Sequence, residues 1–344
     1  MLDAESASRV TEILSRHFGL DAADCRLRVK RSNLLGWRGK TTHCDLTLIC
    51  DTAVQMAFGK VIPHRAKPVC HTAYGDFTAD AGTEYANLCW LAEAVPDEKH
   101  FHPSVIGLVP AGEMSLLLLE RLSGYRNLSS MLSSRLLPRP GRVPWLIELG
   151  GRVLARLAEF QAAYSESGVA LPKAECAAIR RRLESVMSLP AAVRDRLLTE
   201  VEALEENLGP VRKGILHGDL GPRNIEIGPE IAFLDWEAMR RDGLLLYDAA
   251  YFVVTFLTRC VQMCLSRSQL EHIAEELWCQ LPTTGRAGDG HTRLAQLMAL
   301  CHVLSAYERD SGGGGLRPIL KQRRRQISFL VSQLSREGLH GQQQ

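Results

Sequence analysis

Two short segments constrain this chain more than any other feature. One is Leu216-His217-Gly218-Asp219-Leu220-Gly221-Pro222-Arg223-Asn224, and the other is Phe233-Leu234-Asp235-Trp236-Glu237. Between them, Ile225-Glu226-Ile227 and Ile231-Ala232-Phe233-Leu234 are separated by Gly228-Pro229-Glu230, which predicts a small hairpin. An Asp, an Asn five positions later and a second Asp eleven beyond that therefore fall on loops flanking one hairpin. Phosphoryl transfer from a nucleotide needs such groups: a carboxylate near the attacking hydroxyl, and oxygen ligands that hold Mg²⁺ against the phosphates. Asp219 fits the first role. Asn224, with a neutral carbonyl oxygen, and Asp235, with a charged one, fit the second. Glu237 would share a face with Asp235 in an extended segment, where it could serve a second metal or the acceptor; a surface salt bridge is the alternative.

The rest of the chain divides in two. Ala4–Phe18 carries Val10, Ile13, Leu14 and Phe18 at helical spacing, with Asp3 as a cap. Cys44–Cys50 and Val54–Ile62 read as paired strands around Asp51-Thr52, Asp80–Ala94 as a helix, and Val105–Val109 and Ser115–Leu119 as further strands. Pro138, Pro140 and Pro144 mark a break, beyond which helical stripes dominate and only the small hairpin gives a strand signal. A final helix carrying Ile327, Leu330, Val331 and Leu334 is expected after the glycines 312–315. The pattern is α+β: a small antiparallel sheet in an N-terminal lobe, residues 1–123, and a mainly helical C-terminal lobe, residues 124–344.

Hydrophobic residues make up 46% of the 344, enough for two real cores. A net charge of +2 is too small to argue for nucleic acid or a membrane surface as partner. Arg323-Arg324-Arg325 reads as a solvated helix face, with phosphate or RNA binding as the alternative. The N-terminus lacks a basic start followed by an apolar run, and Leu244–Leu257 is too short to span a bilayer, so a cytoplasmic protein is expected. The ten cysteines include no CxxC pair and are expected to be buried free thiols.

The two motifs resemble the catalytic loop and metal-binding segment of the aminoglycoside phosphotransferase and choline kinase families, which share the protein-kinase-like fold. The likeness is close from Leu216 to Asp248. It implies a bilobal fold and a small-molecule kinase moving the γ-phosphate of ATP or GTP, with Mg²⁺, to a hydroxyl. Aminoglycosides or other antibiotics, sugars and amino alcohols are the implied acceptors. Asp219 would then be the catalytic base, His217 would shape its loop, and Asp248, in Tyr247-Asp248-Ala249-Ala250-Tyr251, would prop that loop through backbone hydrogen bonds. Arg223 stands where relatives often carry glycine, and a cation there either contacts a phosphate or pairs with a carboxylate. On the nucleotide side the resemblance implies a strand lysine paired with a helix glutamate: Lys60, with Lys67 in reserve, and Glu84 rather than Glu93. Glu120 and Leu122 lie in the implied hinge, Leu117–Gly124, where backbone would meet the base. Ser32–Gly39 has two glycines but no GxGxxG phosphate cover. A catalytically weak nucleotide-binding scaffold and a protein-kinase-like regulator are the alternative functions.

Overall fold

A computed structural model describes residues 2–31, 42–51, 53–63, 69–78, 80–94, 101–133, 141–164, 168–263, 265–281, 288–311 and 325–333. In chain order the first elements are α1 (Ala4–Phe18), β1 (Cys25–Arg31), β2 (Thr42–Cys50), β3 (Ala53–Pro63), β4 (Val69–Thr72), β5 (Gly75–Thr78), α2 (Ala81–Ala94), β6 (Val105–Ala111) and β7 (Met114–Glu120). There follow β8 (Arg126–Asn127), α3 (Leu128–Ser133), α4 (Arg142–Ala163), β9 (Val169–Ala170), α5 (Lys173–Ser185), α6 (Ala191–Asn207) and β10 (Val211–Leu216). The last are β11 (Ile225–Ile227), β12 (Ile231–Phe233), β13 (Arg240–Leu244), α7 (Leu246–Val261), α8 (Arg267–Cys279), α9 (Gly288–Ser311) and a helix over residues 325–333. The class is α+β, with a small antiparallel sheet near the N-terminus and a mostly helical remainder.

The chain forms two compact units. One comprises Met1–Cys70, Asp76–Tyr125 and Gly228–Ala238; the other comprises His71–Gly75, Arg126–Ile227 and Met239–Gln344. The first is built on an antiparallel sheet in the order β1-β2-β3-β7-β6. Helix α1 lies on one face of it. Asp3 caps α1, its Oδ1 accepting from the Ser6 N–H at 2.8 Å, and Gly19 ends it in a left-handed conformation, φ 67°. Val10 and Leu14 pack against Leu46, Leu48, Ala57, Val109, Leu116 and Leu118. Ala57 and Gly59 face this core. A Cβ on Gly59 would stand 2.6 Å from Cys44 Sγ, its partner across the ladder, so any side chain there would force its neighbours to shift. Strand alternation then sends Phe58 and Lys60 to the opposite face.

Cys25 and Cys50 sit directly opposite in the β1–β2 register, with Cα atoms 4.4 Å apart, and are joined as a disulfide. This corrects the expectation of free thiols throughout. Buried free thiols are found at Cys44, Cys176, Cys260 and Cys301, whereas the free Cys89 is half-buried and the free Cys279 is exposed. Sequence spacing could not reveal the pairing, because strand register creates it.

In the second unit α7 is the central helix, with Phe252, Val253, Phe256, Leu257 and Cys260 buried among α4, α8 and α9. More strands form here than expected. β10 pairs with β13 and with β9, and β11 pairs with β8, Glu226 opposite Asn127. Val211-Arg212-Lys213-Gly214 and Arg240-Arg241-Asp242-Gly243 lack apolar alternation, so backbone pairing rather than a buried side-chain face defines them. Pro144 lies in the first turn of α4, where its missing N–H costs nothing, rather than before the helix. Residues 325–333 are helical with Leu330 buried and Arg325 exposed; Arg323, Arg324 and Leu334 lie outside the described residues. Among the described residues no helix is long and apolar enough to cross a membrane.

Leu14 is fully buried where α1 meets the sheet. Leu14→Ala should lower unfolding stability by about 2–5 kcal/mol, read as a fall in the urea midpoint. A change within about 0.5 kcal/mol, the range of surface substitutions, would show that α1 does not hold the sheet.

Candidate active site

In the first unit the centre is Lys60, 5% exposed on β3. Its ammonium donates to Glu84 Oε2 at 2.6 Å, to Asp235 Oδ1, and to Glu237 Oε2 at 3.3 Å. Glu84 is in the first turn of α2 and is 1% exposed. Burial alone would strip the proton from Lys60, but the charges of Asp235, Glu84 and Glu237 outweigh it and hold its pKa well above that of an ordinary lysine. Burial pushes Glu84 up to about 7, with Lys60 pulling it back.

Asp235 reaches this cluster by a backbone route the sequence does not advertise. It adopts a left-handed conformation, φ 69°, the only non-glycine among the described residues to do so. A 3₁₀ turn, Trp236–Ala238, follows, so Asp235 and Glu237 share the Lys60 ammonium through a tight turn rather than an extended segment. The turn is pinned from within. Trp236 is fully buried, its Nε1–H donates to the Phe233 carbonyl at 2.9 Å, and its own carbonyl accepts from Asn87 Nδ2 at 2.8 Å. One oxygen from each of Glu84, Asp235 and Glu237 lies within 4.8 Å of the others. Three carboxylates surround a single positive charge, and their hard oxygens are the donors that a magnesium-like cation takes. His43, opposite Lys60 in the β2–β3 register, borders the cluster; burial and the charge of Lys60 push its pKa down, with Asp235 opposing.

In the second unit β10 delivers Leu216 into the His217–Asn224 loop. Gly218 has φ 84°, a conformation glycine adopts without strain, and this aims two successive amides at one carboxylate. The His217 N–H donates to Asp248 Oδ2 at 2.6 Å and the Gly218 N–H to Asp248 Oδ1 at 3.0 Å. Asp248 is fully buried on α7, and burial pushes its pKa up to about 7 against the pull of those two amides. Asp219 is half-buried. Tyr251 donates its hydroxyl to Asp219 Oδ1 at 2.7 Å, and Asn224 Nδ2 donates to the Asp219 carbonyl at 2.8 Å and to Oδ2 at 3.2 Å. With its amide nitrogen turned to Asp219, Asn224 has its carbonyl oxygen as the atom suited to a metal.

Tyr251 was not a sequence candidate. It stacks on Tyr247, ring centroids 5.7 Å apart, and on His302 at 5.1 Å, while Tyr247 Oη and His302 Nδ1 are 2.7 Å apart. Burial, then the charge of Asp219, raises the Tyr251 pKa well above that of an ordinary tyrosine, so it stays a donor. Its signal was its position three after Asp248 and four after Tyr247, on one helix face.

The structure thus brings Lys60, Glu84, Asp235 and Glu237 together in one unit, and Asp219 and Asn224 together in the other. Arg223 is exposed in the 3₁₀ turn Pro222–Asn224, where its carbonyl accepts from Asn127 Nδ2 at 2.7 Å. Glu120 is exposed at the end of β7, its N–H bonded to the Ser104 carbonyl, and the Leu122 carbonyl accepts from the Tyr125 N–H at 3.4 Å. Lys67 and Ser32–Gly39 lie outside the described residues.

Asp248→Asn should cost about 1–3 kcal/mol, because one buried amide loses its acceptor. The folded pKa of about 7 exceeds the ordinary 3.8, so the stability contributed by protonating Asp248 is complete below about pH 4 and is lost as pH rises through 7. The penalty of the variant should therefore shrink between pH 5 and pH 8 in urea titrations. A penalty that grows with pH would reverse the assigned cause.

A profile of the phosphotransferase enzyme family matches residues 80–278, more than half of the chain and inclusive of both motifs. A solved structure from Ralstonia eutropha JMP134, named provisionally as an aminoglycoside phosphotransferase, aligns with a TM-score of 0.55 and 14% identity, covering 97% of this chain and 98% of that one. At that identity the likeness speaks for the kinase-like fold alone. No curated protein sequence matches significantly. From the family match, spanning the Asp219 loop and the Asp235 turn, it follows that this chain belongs to the phosphotransferase enzyme family.

Proposed function

We propose that the chain transfers the γ-phosphate of ATP or GTP to a hydroxyl of a small molecule, with Mg²⁺ as the metal. What supports this above all is the Lys60 cluster: a buried ammonium held among Glu84, Asp235 and Glu237. Once a metal takes Asp235 and Glu237, such an ammonium, still fixed by Glu84, turns the donors they release toward nucleotide phosphate oxygens. The acceptor set implied by the family spans aminoglycosides and other antibiotics, sugars and amino alcohols.

On this reading Asp235 and Asn224 hold the metal, and Glu237 assists. When bound, Mg²⁺ neutralises phosphate charge as it builds during transfer. Asp219 orients the acceptor hydroxyl and accepts its proton as the new phosphate ester forms. Tyr251 and Asn224 fix the carboxylate that does so, one from each side. Asp248 holds the loop beneath it. Lys60 and Glu84 place the nucleotide, and the backbone around Glu120 and Leu122 meets its base. Residues 1–123 and 124–344 would then be the nucleotide lobe and the catalytic lobe.

Two variants test this. Asp219→Ala should lower kcat by about a thousandfold or more while nucleotide affinity stays within a few-fold, measured by nucleotide consumption and equilibrium binding; near-normal turnover would reject the base. Asp235→Ala should abolish the Mg²⁺ dependence of nucleotide binding in a metal titration. An unchanged dependence would move the metal elsewhere.

A further inference from the structure

From Leu246 to Cys260 every residue of α7 is buried except Tyr251, Thr255 and Arg259. These stand at i, i+4 and i+8, so they form one stripe along the helix. Its upper end is Tyr251, bonded to Asp219. At its middle, a Cβ on Gly221 would lie 3.7 Å from Thr255 Oγ1 and 3.8 Å from the Tyr251 ring, so the Asp219 loop runs directly over the stripe. Its lower end is Arg259. The turn Pro222–Asn224, which carries Arg223, packs on the same helix.

The lower end is positive. Burial and then the neighbouring charge of Arg223 push the Arg259 pKa below that of an ordinary arginine, with Tyr307 opposing. Among the described residues no carboxylate pairs with Arg259; its hydrogen-bond partner is the neutral Gln262 Oε1 at 3.5 Å. A half-buried guanidinium beside a second cation is costly unless an anion compensates it.

Several carboxylates already have partners of their own. Asp242 pairs with Arg240 at 2.9 Å, Glu271 with Arg267 at 2.7 Å, and Glu308 accepts the backbone N–H groups of Met187 and Ser188. Glu276 faces His272 at 3.9 Å, and Glu237 belongs to the Lys60 cluster.

Granted the phosphotransfer function proposed above, on which this rests, we infer that the acceptor is an anion: a small alcohol that also carries a carboxylate or phosphate group, its hydroxyl turned to Asp219 and its acidic group held by Arg259 and Arg223. Eight helical residues separate the Tyr251 and Arg259 Cα atoms by about 12 Å, and a helical arginine leans back toward the N-terminal end. The acceptor oxygen bonds to the γ-phosphorus, the bond from that phosphorus to the β,γ-bridging oxygen breaks, and the hydroxyl proton passes to Asp219. The products are a phosphate monoester and a nucleoside diphosphate.

The test uses the full chain with ATP or GTP and Mg²⁺. Nucleotide consumption is followed with gluconate and glycerate, glucose 6-phosphate and glycerol 3-phosphate, neutral glucose and glycerol, and kanamycin. At least one acidic acceptor should exceed its neutral counterpart tenfold or more in kcat/KM; the carboxylate and phosphate arms identify which acid is used. Arg259→Gln should raise KM for that acceptor tenfold or more with kcat changed less than threefold, and Arg223→Gln, at an exposed position, should act in the same direction. Independently of turnover, calorimetry with gluconate and with inorganic phosphate should show binding that either variant weakens at least tenfold. Kanamycin or neutral alcohols equalling the acids would overturn the inference while leaving the kinase function intact. Absence of anion binding by the wild-type chain would also overturn it, even if no acceptor on the panel reacts. Asp235-independent nucleotide consumption would instead strike the phosphotransfer function itself.

Discussion

A buried lysine that keeps its proton is the constraint around which the N-terminal unit is arranged. An isolated ammonium at the 5% exposure of Lys60 would lose its charge rather than bear the cost of leaving water. Three carboxylates prevent this, and they come from two places far apart in the sequence: Glu84 on α2, and Asp235 and Glu237 on the tight turn after β12. Each needs its own support. The register of β3 turns Lys60 away from the α1 core, the first turn of α2 presents Glu84, and Trp236 with Asn87 clamps the turn. Burial raises Glu84 to a pKa of about 7, so the three carboxyls need not all be charged at once. Their oxygens are of the kind that a hard cation takes.

The Asp219 loop obeys a different logic, based on acceptors rather than charges. Gly218 lets two neighbouring amides converge, and Asp248 receives both, so the backbone preceding Asp219 is held from α7. The same helix supplies Tyr251 one turn later, which reaches the Asp219 carboxylate itself. One helix therefore fixes both the main chain and the side chain of the residue proposed as base. The aromatic stack of Tyr247, Tyr251 and His302 keeps the tyrosine hydroxyl from swinging away, since any rotation would unstack two rings. Precision at Asp219 is built into a helix core rather than left to a loop, in line with how well-held catalytic groups are generally supported.

What the sequence revealed and what it concealed divide along physical lines. Helix α1 was legible because its cap and apolar stripe are both local signals. Asp219, Asn224 and Asp235 stood out because their types and spacings are those of phosphoryl-transfer chemistry, and Lys60 with Glu84 because a strand lysine followed by a helix glutamate fits the resemblance. Strands β10 and β13 were hidden because their residues are mostly charged or glycine and they are defined by pairing partners distant in the chain. The left-handed Asp235 could not be seen, since no glycine or asparagine marks the position. Nor did the chain, continuous from Asp219 onward, show that Gly228–Ala238 packs with the N-terminal strands. Tyr251 was overlooked because it sits in an apolar helix where an aromatic normally means core. The Cys25–Cys50 pair depended on a register that only the folded sheet provides.

Helix α7 also shows why membership in a family does not fix an acceptor. Its buried face, with Phe252, Val253, Phe256 and Leu257, answers only to packing and could belong to any relative of similar volume. Its half-buried stripe lies under the Asp219 loop. There the residue nearest the reacting atoms, Tyr251, is committed to Asp219, whereas Thr255 has its hydroxyl tied to the helix backbone at 2.7 Å and offers mainly a methyl surface. On the inference drawn above, discrimination then falls to Arg259 and to Arg223, whose charge acts on it. A charge at that place both attracts an acid and repels a cation, so a single pair of arginines rejects polycationic acceptors by the same interaction with which it selects anionic ones.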